Sequence, residues 1–315
     1  MPSAEQVCYR AYGRVCASPI PLPELTKAPL SPADFDVAFA DLGASAPRRW
    51  SASVTDADGE EWTAVEPTER DVWFRFLDES LWRCRRFEPG RWRVEIDRAT
   101  QPPVETLRHL LIDEVLPALL AMSGSLVLHG AAVVIEESAL VILGQSQMGK
   151  STLGIAFAQR GYPLLADDCV VIDRMNGRFL VQPSYPSVRV WESSAVEMLG
   201  TAHGAPFAHY TDKRRYTEGL AFSARPVPLG AIATVDSWSP DVHGVVDIHT
   251  VRGHAASAAL VQGAKTLPIG TRKAAAVAEL LDLVGQVPIA RLSLPEGFHF
   301  IARVCTDLTD WVVSP

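Results

Sequence analysis

One segment of the chain combines two glycines, a lysine and a serine at the spacing of a phosphate-binding loop. Residues 144–151 read Gly-Gln-Ser-Gln-Met-Gly-Lys-Ser and match the pattern G-x-x-x-x-G-K-[ST]. The apolar run 141–143 precedes this segment, and a helical stretch from Lys150 to about Arg160 follows it. The sequence therefore predicts a nucleotide-binding loop between a strand and a helix, against the alternative of a glycine turn without a ligand.

Each residue type in this loop has a chemical task. Glycines let the backbone curl so that successive N–H groups converge on a phosphate, and the following helix adds the positive end of its dipole. Lys150 can reach the β- and γ-phosphates, and the Ser151 hydroxyl can complete a Mg²⁺ shell. We expect the nucleotide to contact Gly144, Gln145, Ser146, Gln147, Met148, Gly149, Lys150, Ser151 and Thr152.

Two carboxylates lie sixteen residues beyond Ser151, at the end of the apolar run 164–166. In a parallel sheet, Asp167 and Asp168 would share the carboxyl edge with the phosphate loop. One carboxylate can support Mg²⁺ while its neighbour takes a proton from an incoming hydroxyl. The alternative is a surface turn opened by the Asp-Asp pair. His129 ends the run 126–128, and it is either a satisfied buried histidine or the partner of an aspartate.

Two further places carry residue types suited to phosphate or metal. The cluster Lys213-Arg214-Arg215 can clamp a transferring phosphoryl group or an acidic substrate, or it is a solvated loop. Glu192 follows the apolar segment 188–191. This glutamate either supplies another metal carboxylate or is an exposed residue at a helix start.

Composition limits the classes of partner. The 315 residues are 48% hydrophobic, which excludes a disordered chain. Acidic residues outnumber basic ones 37 to 29, so we expect no nucleic-acid partner. The five cysteines are scattered without a C-x-x-C pair, which indicates neither a zinc site nor a disulfide framework.

One stretch requires evaluation as a membrane span. Residues 115–135 carry no formal charge, but Pro117, Ser123-Gly124-Ser125 and His129-Gly130 interrupt them. We interpret this stretch as a helix end, a turn and a buried strand. The first residues lack the basic and apolar regions of a signal peptide. A soluble, cytoplasmic protein without a membrane partner is therefore expected.

The chain is expected to form two domains. Residues 1–100 hold five of the eight tryptophans among strand-like segments with period-two alternation, which predicts a small β-rich domain. A helix with leucines at three- and four-residue spacings follows Gln101-Pro102-Pro103. Strand, helix and strand then follow one another around the phosphate loop, so residues 101–315 are expected to be an α/β domain.

These motifs together resemble a known family. The segment 128–168, with His129-Gly130, the phosphate loop, Arg160-Gly161-Tyr162 and 165–168, is similar to the catalytic domain of HPr serine kinases. The closer similarity is to stand-alone bacterial relatives with a small strand-rich front domain, because residues 9–13 and 21–24 also fit that subgroup. Gln147 departs from the family, which usually has glycine there.

The resemblance implies an α/β P-loop kinase domain of HPr-kinase and phosphoenolpyruvate-carboxykinase-like architecture behind the β-rich domain. It also implies ATP- and Mg²⁺-dependent phosphorylation of a serine hydroxyl, and assembly into homo-oligomers. Asp167, paired with His129, would be the base, Lys150 would assist catalysis, and Asp168 with Ser151 would hold the metal.

No segment resembles the one with which HPr kinases grip their protein substrate, so HPr itself is not the expected acceptor. We expect a peptide or another small protein. Some relatives phosphorylate the C-terminal serine of lasso-type precursor peptides, which makes this serine our most specific expectation. The alternatives are a nucleotide-gated peptide-binding module without transfer and a kinase of a free small molecule such as serine.

Overall fold

A computed structural model describes residues 6–55, 61–68, 71–100, 102–239, 245–263 and 273–314. The described chain divides into two compact units. The first holds the residues up to Ser123 together with Phe207–Tyr210, and the second holds Gly124–Pro206 and most of the chain from Thr211 onward. Among the described residues, no helix combines the length and apolar character that crossing a membrane requires.

The first unit is built on a nine-stranded sheet in the order β3-β1-β2-β4-β9-β8-β7-β6-β5. Residues at alternate positions are buried, as in Trp92, Val94 and Ile96, because successive side chains of a strand face opposite sides of the sheet. The β-rich N-terminal region is thus confirmed. Its strands are β1 (Val7–Ala11), β2 (Arg14–Ser18), β3 (Thr26–Lys27), β4 (Phe35–Ala40), β5 (Ala52–Thr55), β6 (Glu61–Pro67), β7 (Asp71–Phe76), β8 (Leu81–Glu88) and β9 (Arg91–Asp97).

A helix follows this sheet, as the leucine spacing predicts. It begins as α1 (Val104–His109), passes through a π-helical segment (Leu110–Val115) and ends as α2 (Leu116–Ser123). The wider π turn still leaves Leu110, Leu111 and Val115 fully buried. The helix belongs to the first compact unit. The predicted division after residue 100 instead assigns this helix to the second domain.

The second unit contains a seven-stranded sheet in the order β11-β10-β12-β13-β17-β19-β18. An additional parallel pairing of β11 with β17 closes a ring of the five strands β11, β10, β12, β13 and β17. A three-stranded sheet, β14-β16-β15, completes the unit. The strands are β10 (Leu126–Ile135), β11 (Ser138–Gly144), β12 (Leu164–Met175), β13 (Arg178–Gln182), β14 (Val188–Val190), β15 (Ala205–Pro206), β16 (Arg214–Tyr216), β17 (Val227–Ser239), β18 (Asp247–Val251) and β19 (Ile289–Pro295).

Two apolar cores lie in this unit. One contains Leu153 and Phe157 of the helix after the phosphate loop, together with Val235 of β17. The other contains Val141 of β11 and Leu260. The α/β fold is therefore confirmed. The helices are α3 (Lys150–Gln159), α4 (Glu192–Leu199), α5 (Gly253–Gly263), α6 (Lys273–Gln286) and α7 (Ile301–Val313).

The structure corrects two expectations about the strands that carry the site. First, β10 lies between β11 and β12 and is antiparallel to both, so the strands joined by α3 are not direct neighbours. Second, Asp167 and Asp168 do not end their strand. β12 continues to Met175, because the apolar residues 169–172 pair with the start of β10.

Candidate functional site

The phosphate loop leaves β11 and enters α3, as the motif predicts. Gly149 precedes the helix with φ of +74°, a conformation that glycine adopts without strain. Gln147 has φ of +67°, in the same left-handed region. An L-residue there costs about 1–2 kcal/mol, which explains why glycine is usual at this position. The loop therefore keeps its curl despite the substitution, at the cost of local backbone strain.

Lys150 is held at the base of this loop. Its ammonium donates a 2.8 Å hydrogen bond to the backbone oxygen of Gln145, and only 7% of the residue is exposed. Burial lowers the pKa of Lys150, the charges of Asp168 and Asp167 oppose that shift, and the charge of Lys213 adds to it. The lysine is thus a buried cation close to two carboxylates and a second cation, an arrangement suited to holding phosphate oxygens.

Asp167 is fixed by the loop on one side and by β14 on the other. Its Oδ1 accepts a 2.7 Å hydrogen bond from the Ser151 hydroxyl, and its Oδ2 accepts a 3.0 Å bond from the backbone N–H of Arg189. The residue is 4% exposed. Burial raises the pKa of Asp167, whereas the charge of Arg189 and the two hydrogen bonds oppose that shift.

Asp168 is the carboxylate that contacts His129, a contact that we had expected at Asp167. Nδ1 of His129 lies 3.1 Å from the backbone oxygen of Asp168 and 3.5 Å from its Oδ1. Because a carbonyl oxygen only accepts, the shorter contact places a proton on Nδ1. Asp168 has φ of +67°, and such strained residues cluster at functional sites.

Arg189 joins the two aspartates and was missed by the sequence analysis. Its side chain is 7% exposed, and its guanidinium forms an ion pair with Oδ2 of Asp168 while its N–H bonds Asp167. The available signal was an arginine inside the apolar run 188–191. A charged residue is rarely buried unless it is paired, so this position called for a carboxylate partner.

The three residues of the predicted cluster 213–215 contact different parts of the structure. The Lys213 ammonium lies 5.6 Å from the ring centre of Trp191 and acts electrostatically on Lys150. Arg214 lies near Tyr216: burial and the charge of Glu192 raise the pKa of the phenol, and the charge of Arg214 opposes that shift. Arg215 is buried with its guanidinium over the ring of Tyr185. Of these three residues, Lys213 is the one whose charge acts on Lys150 of the phosphate loop.

Glu192 is an exposed residue in the first turn of α4, the position that the helix-start interpretation describes. In the described part of the chain, no group of three or more His, Cys, Asp or Glu residues is arranged to hold a metal ion. Glu192 thus does not join the two aspartates in such a group. The hydroxyl of Ser151 lies beside the carboxylate of Asp167 next to the loop, and Mg²⁺ commonly uses one or two protein oxygens plus phosphates and waters. This donor set fits Mg²⁺.

Trp238 is a second residue that the sequence analysis did not assign. Its indole N–H donates a 3.1 Å hydrogen bond to the backbone oxygen of Met148. A Cβ atom added at Gly149 would lie 2.9 Å from Cζ2 of the indole, so the ring closely approaches the loop. No local signal connects a tryptophan near residue 240 with a loop at residue 148, because the contact depends on the pairing of β17 with β11.

Comparisons with known proteins place this site in context. Residues 120–190 match the family model of the HPr Serine kinase C-terminal domain. A solved structure, the Hpr(Ser) kinase/phosphatase from Coxiella burnetii, is similar at 11% sequence identity over 59% of this chain and 96% of that one, with a TM-score of 0.34. No curated protein sequence matches this chain significantly.

The matched segment contains His129, the whole phosphate loop, both aspartates and Arg189. The family that we expected from the motifs is therefore confirmed for the part of the chain in which those residues lie. Over residues 120–190, the chain is therefore similar to the C-terminal domain of HPr serine kinases.

Proposed function

We propose that this protein is an ATP-dependent kinase that transfers the γ-phosphoryl group to a serine hydroxyl of a peptide or small protein. The proposal rests on the hydrogen bond between Ser151 of the loop and Asp167, with the His129–Asp168 pair beside it. A nucleotide-binding loop next to a carboxylate pair supplies both phosphate binding and a proton acceptor. The match to a serine kinase family supports the same reaction class.

The Ser151–Asp167 pair is the proposed place for Mg²⁺. The hydroxyl and carboxylate oxygens are hard donors of the kind this ion prefers. Held by these two residues, Mg²⁺ would supply positive charge that offsets the negative charge of the phosphate oxygens. Asp167 accepts two hydrogen bonds that fix its orientation, and burial raises its pKa, at a cost to the charged form. A bound cation would offset that cost.

Asp168 is the proposed proton acceptor, which exchanges the roles that the family resemblance implies for the two aspartates. Its side chain is 23% exposed, whereas Asp167 is 4% exposed, so an acceptor hydroxyl can reach Asp168 more easily. The hydroxyl oxygen attacks the γ-phosphorus, the bond to the β-phosphate oxygen breaks, and the hydroxyl proton moves to the carboxylate. His129 and Arg189 hold that carboxylate in place.

The cations have separate proposed tasks. Lys150 binds the β- and γ-phosphate oxygens, and Lys213 adds positive charge on the same side. Phosphoryl transfer depends on positioning and on stabilising negative charge, so loss of the Lys150 charge is expected to abolish it. Arg214 keeps a proposed part in contacts with the acceptor, and it lies near Tyr216 together with Glu192.

The finer assignments rest on the family resemblance. We propose the C-terminal serine of a lasso-type precursor peptide as the acceptor, a cytoplasmic location and a homo-oligomeric state. Free serine as the acceptor, and a nucleotide-gated peptide-binding module without transfer, are the competing functions. Light scattering of the purified protein tests the oligomeric state directly.

Mass spectrometry of serine peptides and of free serine, each incubated with the protein and Mg²⁺-ATP, tests the function. We expect one added phosphoryl group on a peptide, absent with Lys150→Met. Transfer to free serine alone would replace the peptide kinase by a metabolite kinase. Nucleotide binding without transfer to any tested acceptor would favour the gated binding module.

The two aspartates are compared in the same assay. Asp168→Asn should bind Mg²⁺-ATP with an affinity close to that of the wild type and lose transfer by about 100-fold or more. Asp167→Asn should instead require a higher Mg²⁺ concentration for both nucleotide binding and transfer. The reverse pattern would restore the roles that the family resemblance implies.

A further inference from the structure

We infer that Trp238 is a positioning residue for nucleotide binding, because it fixes the orientation of the Met148–Gly149 peptide in the phosphate loop. This inference rests on the proposed nucleotide site. The indole N–H donates its 3.1 Å hydrogen bond to the Met148 carbonyl. A trans peptide is planar, so the N–H of Gly149 points to the side opposite that carbonyl. The hydrogen bond to Trp238 thus keeps the Met148 carbonyl directed toward the indole and the Gly149 N–H directed away from it. The carbonyl cannot then turn toward the phosphate.

The orientation of this peptide matters because of the charge of the ligand. A phosphate-binding loop works by converging N–H groups, and a carbonyl oxygen in their place would repel the phosphate. The residues on both sides of Met148 are left-handed, Gln147 with φ of +67° and Gly149 with φ of +74°. The strained backbone of Gln147 persists only where surrounding structure holds it. Trp238 provides such a contact from outside the loop.

A β-bulge aims Trp238 at the loop. On β17, Ala233 and Val235 face the core that also contains α3. Strict alternation would direct Ser237 toward this core, but the register with β19 shifts between Val235 and Ser237 and leaves Asp236 as an extra residue. Trp238 consequently packs against the same core. Bulges re-aim side chains in this manner and are frequent near functional sites.

The bulge has its own support across the sheet. Asp236 accepts a 2.5 Å hydrogen bond from Nε of Arg291 on β19, and the hydroxyl of Ser237 lies 3.3 Å from that of Ser293. These contacts join β17 to β19, on the side of β17 opposite β11. Affinity for the nucleotide would therefore depend on how β17 pairs with β19.

Trp238→Phe tests the inference, because phenylalanine keeps an aromatic ring and removes the donor. The matched control is Trp311→Phe, since Trp311 of α7 is half-buried against the same core but is not in the loop contact. Calorimetric titration with Mg²⁺-ADP and Mg²⁺-ATP should give a Kd about five- to tenfold higher for Trp238→Phe and within twofold of wild type for Trp311→Phe. The KM for ATP should rise more than kcat falls.

Equal changes of Kd in both variants would reduce Trp238 to a packing residue and overturn the inference. A wild-type Kd in Trp238→Phe would also overturn it. Failure of the wild-type protein to bind either nucleotide would instead refute the nucleotide site, and the inference with it.

A measurement on the unmutated protein decides the matter if Trp238→Phe does not fold. The indole N–H of Trp238 should exchange with deuterated water at least tenfold more slowly than that of Trp191, which is 41% exposed. Equal exchange rates would show that the hydrogen bond to Met148 is not maintained in solution.

Discussion

The hydroxyl of Ser151 donates a 2.7 Å hydrogen bond to Oδ1 of Asp167 and thereby joins the first turn of α3 to β12. Most of α3 separates the two residues along the chain, and β10 lies between β12 and β11, the strand before the loop. A short polar contact therefore links the phosphate loop to the carboxylate pair. The same bond supplies one of the two donors that compensate the burial of Asp167.

Removing this hydroxyl should destabilise the protein. Ser151→Ala leaves a buried carboxylate with one donor fewer, and we expect the free energy of unfolding to fall by about 1–2 kcal/mol. Ser151→Thr keeps the hydroxyl and should stay within about 0.5 kcal/mol of wild type. Urea denaturation checks both variants. Equal stability of the alanine and threonine variants would show that the bond contributes nothing.

Lys150→Met should abolish transfer and yet stabilise the unliganded protein. Burial lowers the pKa of Lys150, so the folded state binds this proton less tightly than the unfolded state does. Methionine removes the buried charge, and a gain of about 1 kcal/mol at pH 7 corresponds to about 2–4 °C in Tm. The control is Lys213→Met, which is less buried and should change Tm little.

The stabilisation by Lys150→Met should depend on pH in one direction. Below the lowered pKa, the lysine is charged in both states and the burial cost is fully present. As the pH rises through that pKa toward the ordinary value of 10.5, the folded lysine loses its proton and the cost disappears. Thermal unfolding at pH 7 and near pH 10 should show the Tm difference shrinking. A difference that grows with pH contradicts the burial argument.

Gln147 offers a test of backbone strain in the loop. Gln147→Gly relieves the left-handed strain but increases the entropy of the unfolded chain, so we expect stability within about 1 kcal/mol of wild type. Gln147→Val places a β-branched residue at φ of +67° and should lose about 1–2 kcal/mol. Calorimetric unfolding measures both. A valine variant as stable as the glycine variant would refute the left-handed conformation.

Arg189→Met should be the most destabilising of these substitutions. It leaves the carboxylate of Asp168 without its guanidinium partner in a largely buried setting, at a cost of about 3 kcal/mol. The matched control is Arg75→Met, whose ion pair with Glu61 is exposed and is worth at most about 1 kcal/mol.

A double variant isolates the charge effect of Arg189. Adding Asp168→Asn to Arg189→Met removes the uncompensated charge and should recover part of the lost stability in chemical denaturation. No recovery would mean that Arg189 acts by filling space rather than by pairing.

Most of the structural features that the sequence could predict follow from local motifs. The phosphate loop, its flanking strand and its helix follow from residues within one short segment, because glycine, lysine and serine at fixed spacing specify the turn between them. The same holds for the alternation of β9 and the leucine face of the helix around the π-helical segment. These features depend on neighbours within a few residues along the chain.

Non-local pairing produced the errors and omissions. Asp167 and Asp168 resembled the end of a strand, since two charges commonly stop an apolar run, but pairing with β10 carries β12 onward to Met175. His129 contacts Asp168 rather than Asp167, and the left-handed backbone of Asp168 sets the direction of its carboxylate. Arg189 enters the site from a different sheet. None of these relationships has a period that a single sequence displays.

The ring of five strands has a consequence for how the phosphate loop can open. β11 is hydrogen-bonded to β10 on one side and to β17 on the other over nearly its whole length, so neither of its sides is a free edge. Releasing the strand that feeds the loop requires breaking two ladders at once. Amide protons of β10, β11 and β17 should therefore exchange together, as one cooperative block with the highest protection in the second unit.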